Sequence, residues 1–230
     1  MISKNRIVVL VDNEPGEKLR SDWGLSIYVE TSEWSMLFDA DTNPSTLQYN
    51  AEKLNLNLED IDFAVLSHYH YDHAGGFSYI AKVNPNLKLY VPPGPANRLR
   101  KIGLNPIVVN HNMKITDTSY LIGPLNAGWG LNEISFAFYV EEKGLILLVG
   151  CSHPGVGKIA SELVSFTKIN KIYMIIGGYH SSPLKAIDEL AEITKYFSPI
   201  HCSNESIKRY VKERYSNKYF EARTGTEIEI

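Results

Sequence analysis

Tyr28-Val29-Glu30 returns 111 positions later as Tyr139-Val140-Glu141, and at the same offset Met36-Leu37-Phe38-Asp39 falls on Leu147-Leu148-Val149-Gly150. At an offset of 110, Val65-Leu66-Ser67-His68-Tyr69-His70 falls on Ile175-Ile176-Gly177-Gly178-Tyr179-His180, so an apolar strand again ends in Tyr-His. Self-similarity at about half the chain length implies two fused copies of one strand-rich unit. If the halves pack sheet to sheet about a pseudo-twofold, the loops after residues 39, 67, 150, 176 and 200 converge, and one cleft collects what they carry. A chain of 230 residues with 44% hydrophobic content can bury a substantial core and fits one α/β domain, residues 1–230, better than two.

Apolar or alternating runs predict strands at Arg6 to Val11, Leu25 to Glu30 and Ser35 to Asp39, the last two joined as a hairpin. A helix over Thr46 to Leu54 and a buried strand over Asp62 to Ser67 follow. Next come a helix near Phe77 to Val83, a strand at Lys88 to Val91, a helix near Ala96 to Ile102 and a strand at Ile107 to Asn110. His111 to Gly130, rich in glycine and turn formers, reads as a loop and a wall of the site. Helices are expected at Gly155 to Phe166, Pro183 to Phe197 and Ser203 to Tyr215. The second of these carries Leu184, Ile187, Leu190, Ala191, Ile193 and Tyr196 at three- and four-residue spacing.

Four metal-capable side chains fall within six residues in Ser67-His68-Tyr69-His70-Tyr71-Asp72-His73-Ala74-Gly75-Gly76, directly after an apolar strand. Imidazole is a common ligand of zinc and iron, and an adjacent carboxylate adds the charge that neutral imidazoles lack. His68 and His70, two apart in an extended loop, project to one side and can reach one ion. Asp72 and His73 are adjacent, point differently and suit a second ion. Gly75-Gly76 permits a tight turn into the next helix. Of the seven histidines only His111 stands outside the motifs, and it reads as surface. His201 follows Pro199-Ile200 at a strand end, His153 follows Cys151 by two, and His180 can ligate, orient substrate, donate a proton or only support the fold. With two cysteines, Cys151 and Cys202, both beside motif histidines, a disulfide scaffold is excluded.

His-x-His-x-Asp-His after a strand resembles the signature of the metallo-β-lactamase superfamily. Phe38-Asp39 resembles its early aspartate, Gly150-Cys151-Ser152-His153-Pro154-Gly155 its later bridging-ligand motif, and Pro199-Ile200-His201 its last histidine. These motifs, with Gly177-Gly178-Tyr179-His180, are similar to a branch of small prokaryotic proteins labelled metal-dependent hydrolases, some of which are named dihydropterin ribofuranosyl-aminobenzene phosphate synthase. The resemblance implies an αββα four-layer sandwich with two pseudo-symmetric halves. It implies one or two divalent ions, zinc first with iron or manganese as alternatives, held by His68, His70, Asp72, His73, Cys151, His153 and His201. Asp39 would brace the metal loop. One departure stands out: most relatives place a histidine before the late hairpin, where this chain has Leu131-Asn132-Glu133. His153, His180 or Glu133 would have to fill that gap, and Cys151 is either a thiolate ligand or a small buried thiol.

The expected activity is hydrolysis of an ester, lactone, thioester or phosphoester by a metal-bound hydroxide, with Asp72 and His180 as catalytic residues. Alternatives are a synthase or lyase of a pterin-type pathway, iron-based redox chemistry, and a degenerate non-catalytic metal-binding module. A net charge of −3 gives no global attraction to nucleic acid, so a small-molecule substrate is expected. Arg98, Arg100 and Lys101 read as a solvated helix face. No apolar run approaches the length of a bilayer and the start is too short for a secretory signal, so a soluble cytoplasmic protein without membrane contact is expected.

Overall fold

The β-branched opening run becomes strand β1, Arg6–Val11, because Val and Ile pack well on a pleated, buried surface. The protein is described here by a computed structural model covering residues 5–230, and it divides into two compact units. One runs to Val108 and takes in Arg223–Ile230; the other is Val109–Ala222.

In the first unit β1 is followed by β2 (Ser26–Glu30), β3 (Ser35–Phe38), helix α1 (Pro44–Lys53), β4 (Phe63–Val65), the single turn α2 (Tyr71–Ala74), α3 (Phe77–Val83), β5 (Lys88–Val91), α4 (Asn97–Lys101) and β6 (Asn105–Val108). Seven strands form one sheet in the order C-terminal strand Glu227–Glu229, β1, β2, β3, β4, β5, β6. β2 and β3 pair antiparallel as the expected hairpin, while β3 to β6 are parallel. Parallel neighbours need crossovers, and the helices supply them. α1 starts where Asn43 caps the amide of Ser45 at 3.0 Å and Pro44, which has no N–H to leave orphaned, takes the first helical position. Leu47 of α1, with Phe77 and Ile80 of α3, packs on Leu10, Leu37 and Leu89 of the sheet, each burial contributing about 1.5–3 kcal/mol.

Gly75 and Gly76 do a different job from the one the sequence suggests. Both have ordinary right-handed helical backbone, but a Cβ on them would lie 2.0 Å from the Thr42 carbonyl oxygen and 1.9 Å from that of Ala40. The pair lets the segment after β3 press against the start of α3, and a turn is not what requires it.

The second unit contains β7 (Met113–Lys114), β8 (Ser119–Asn126), β9 (Asn132–Val140), β10 (Gly144–Val149), α5 (Val156–Thr167), β11 (Ile172–Gly178), α6 (Leu184–Leu190), β12 (Thr194–Ile200) and α7 (Glu205–Arg214). Its six-stranded sheet runs β12, β11, β10, β9, β8, β7. β8, β9 and β10 are antiparallel and β10, β11 and β12 parallel, the same succession as β1 to β5. The repeat read from the sequence is therefore a repeat of topology, and the α/β class with two pseudo-symmetric halves is as expected.

Two expectations are corrected. Residues 111–130 are not a loop: they hold β7 and β8, and the glycine and proline that disguised β8 sit at a bulge between Ile122 and Leu125, where Pro124 has no N–H to offer the ladder. The helix expected over 183–197 ends at Leu190, and Thr194–Ile200 is strand β12. Ile193 and Tyr196 fit a helical period, but the β-branched and aromatic side chains around them favour pairing with β11. Among the described residues no helix is long and apolar enough to cross a membrane.

Asp41, just after β3, is fully buried; one carboxyl oxygen accepts from the Asn43 amide at 3.2 Å and the other has no hydrogen-bond partner. Burial pushes this carboxyl up to about 7, against the pull of the Thr42 and Asn43 amides. The folded value lies above the unfolded one of about 3.9, so the group's contribution is complete below about pH 4 and is lost as pH rises through 7. Asp41→Asn, neutral throughout, should raise the melting temperature of chelator-treated protein at pH 8 and leave it close to wild type at about pH 4. Coincident melting curves at pH 8 would refute this.

Candidate metal centre

Asp39 stands one residue past β3, fully buried, with φ of 56°. Its carboxylate accepts the Ser67 amide at 2.7 Å, the Ser67 hydroxyl at 2.7 Å and Nδ1 of His73 at 2.6 Å. Burial raises the Asp39 carboxyl above its usual range, and His73 and Ser67 oppose that rise. Ser67 Oγ donates to Asp39, so it accepts from Nδ1–H of His68 at 2.9 Å. The nitrogens left to act as ligands are Nε2 of both His68 and His73. Nε2 of His68 lies 3.0 Å from Nδ1 of the exposed His70, and Nε2 of His73 lies 3.7 Å from Oδ2 of Asp72 on α2. Two nitrogens bound tetrahedrally to one zinc at about 2.0–2.1 Å would be about 3.3 Å apart, so the pairs are spaced as ligands are. The first unit thus brings His68, His70, Asp72 and His73 together around one braced loop.

In the second unit the loop after β10 carries Cys151, Ser152 and His153. Glu133, fully buried near the start of β9, accepts the Ser152 amide at 2.8 Å through Oε1, and through Oε2 the His153 amide at 2.9 Å and His153 Nδ1 at 3.0 Å. Of the three residues considered for the missing ligand, Glu133 is therefore a brace in this structure. His201 follows β12 directly, buried with φ of 52°, and one of its ring nitrogens lies within 4.8 Å of the buried Cys151 thiol sulfur. Cys202 donates its S–H to the Cys151 carbonyl at 3.7 Å. A Cβ on Gly178, at the end of β11, would meet the Cys202 sulfur at 2.5 Å and the Gly150 carbonyl oxygen at 2.5 Å, so glycine is required for the three strand ends to approach. His180 is exposed, with its ring centroid 5.0 Å from that of His153; burial and then His153 push its pKa below the usual imidazole value, and Glu133 opposes them.

His111 is exposed and joins neither cluster. Arg98 and Lys101 face solvent and Arg100 bonds Asn97 and the Pro106 carbonyl, as a solvated helix face would. Ser67 and Glu133 are the residues that motif reading missed as supports. The available signal for Glu133 was a lone carboxylate among the mostly apolar residues of Asn132–Val140.

The sequence model of the metallo-beta-lactamase superfamily matches residues 24–160. This chain belongs to that superfamily. Among superfamily structures, Tm1679, described as a metal-dependent hydrolase of the beta-lactamase superfamily, superposes with a TM-score of 0.83 at 22% identity, covering 98% of this chain and 99% of that one. YhfI from Bacillus subtilis, a metallo-beta-lactamase fold protein, gives 0.71 at 12% identity over 99% and 100%. These likenesses establish the superfamily fold. A named relative, 7,8-dihydropterin-6-methyl-4-(beta-D-ribofuranosyl)-aminobenzene-5'-phosphate synthase of Methanocaldococcus jannaschii, is 24% identical over 91% of this chain and 90% of its own.

The imidazole, carboxylate and thiol donors suit a divalent metal such as zinc. Removing the brace should show in metal binding first: Asp39→Ala strands three buried donors, and is expected to lower stability by about 3–5 kcal/mol and bound metal well below that of wild type. Wild-type metal content in a folded Asp39→Ala protein would refute the bracing role.

Proposed function

We propose that this chain is a metal-dependent hydrolase of a small ester, lactone, thioester or phosphoester. The candidate ligands are His68, His70, Asp72 and His73 in the first unit and Cys151, His153 and His201 in the second, for one or two ions. What supports this is the state of the imidazoles: His68, His73 and His153 each have Nδ1 engaged by a serine or a carboxylate, which leaves Nε2 as the ligating atom. A divalent ion held there supplies Lewis acidity and lowers the pKa of coordinated water to about 7. Asp72 would, besides ligating, take up a proton during attack. His180, open to solvent beside His153, passes one to the leaving group. Glu133 and Asp39 keep the imidazoles aimed while this happens. The substrate is a small molecule, in keeping with the net charge of −3.

The Methanocaldococcus jannaschii relative favours a second reading, in which the same ligands serve a synthase or lyase acting on a phosphorylated pterin or aminobenzene precursor. Metal-loaded protein assayed against ester, lactone, thioester and phosphoester panels, and separately with phosphoribosyl and aminobenzoate substrates followed by product analysis, separates the two. Hydrolysis products from the panels support the first reading, and a new carbon–carbon or carbon–nitrogen bond in the product supports the second.

His70→Ala removes an exposed ligand and leaves the core untouched, so the variant should stay folded while metal content and turnover fall together. Elemental analysis beside the activity assay checks this; turnover retained at the wild-type rate would sink the mechanism.

A further inference from the structure

The Glu133 carboxylate is built into the second unit in a way that bears on one atom, Nε2 of His153. Both carboxylate oxygens accept backbone amides, from Ser152 at 2.8 Å and His153 at 2.9 Å, and the oxygen that takes the His153 amide also faces His153 Nδ1 at 3.0 Å. A carboxylate can only accept, so Nδ1 carries the proton and Nε2 the lone pair. Free histidine prefers the opposite form, with the proton on Nε2. The amide of His153 and the ring of His153 share one acceptor, so the backbone contact fixes where that acceptor sits and the ring follows. Glu133 is at most 1% exposed, so water does not compete for its oxygens.

We propose that Glu133 is a positioning residue that sets the tautomer and direction of His153, and so presents Nε2 of His153 as a metal-ligating atom. The last step rests on the metal-dependent function proposed above; the tautomer does not. Glu133 reaches any ion only through His153, and a change at Glu133 therefore acts on the metal by way of that ring.

Two measurements test this. In chelator-treated, histidine-15N-labelled wild type at pH 8, long-range proton–nitrogen spectra, with His153 assigned by its absence in His153→Ala, should show the proton on Nδ1. A proton on Nε2 would overturn the proposal without recourse to any Glu133 variant. Zinc affinity is then measured for wild type, Glu133→Gln, His153→Ala and the double variant. Glu133→Gln should bind zinc about 10–100-fold more weakly, a range found when outer partners of metal ligands are lost, and should add nothing further in the His153→Ala background. Equal losses in both backgrounds would mean that Glu133 acts through general stability, and would overturn the proposal. A wild type that binds no zinc sinks the metal function, while the tautomer still decides the part played by Glu133.

Discussion

One buried carboxylate organises the first unit. Asp39 would be expensive to bury without partners, since an ionised carboxylate loses its hydration and must be offered donors in exchange. The chain offers three, all from the stretch after β4: the Ser67 amide, the Ser67 hydroxyl and Nδ1 of His73. The exchange works in both directions. Ser67's amide fixes the direction in which the backbone leaves the sheet, its hydroxyl hands a defined hydrogen bond to His68, and His73 is held directly. A single acid residue thus sets the tautomer of two imidazoles and the path of the loop between them, and the close approach permitted by Gly75 and Gly76 keeps that loop against the segment after β3.

The second unit meets the same requirement from a different strand. At the repeat offset, the counterpart of Asp39 is Gly150, which has no side chain to offer and instead accepts the Gly178 amide on its carbonyl at 2.8 Å. The carboxylate comes from β9. Register pairs Leu148 of β10 with Phe136 of β9, and carrying that register past the end of β10 sets Glu133 opposite Cys151, beside the loop that it braces. Duplication preserved the order and direction of the strands more faithfully than it preserved which residue does the bracing. That explains why the topology repeats clearly while the residue identities match only weakly.

Where the sequence was readable, the physics was local. β1, α3 and β5 fall where periodicity and composition placed them because each is short and bounded by turn formers, β1 as a continuous buried apolar run and α3 and β5 with one buried face. β12 was misread because Ile193 and Tyr196 happen to continue the spacing of Leu190, and only pairing with β11, a long-range fact, decides the matter. β8 was hidden by Gly123 and Pro124, which mark a bulge in a paired strand as readily as a turn. In the site, the ligand types were legible from their density between His68 and His73. The supports were not: nothing within a few residues of Glu133 says that its partners lie at 152 and 153, and Ser67 looks like an ordinary strand-end residue until Asp39 is seen beneath it. Side chains that hold a ligand in place are selected by three-dimensional neighbours, so spacing along the chain carries little of their signal.

The same reasoning says where the choice between hydrolase and synthase must lie. Both readings call on identical donors, and the fold that presents them is shared with Tm1679, described as a metal-dependent hydrolase, at 22% identity. Metal content and ligand substitutions therefore report on the framework and are silent on the bond that is made or broken. Chemistry diverges through groups that touch substrate and not metal. In this chain the candidates are two solvent-facing side chains: Tyr71 at the start of α2, between His70 and Asp72 in sequence, and His180 after β11, whose ring lies beside that of His153.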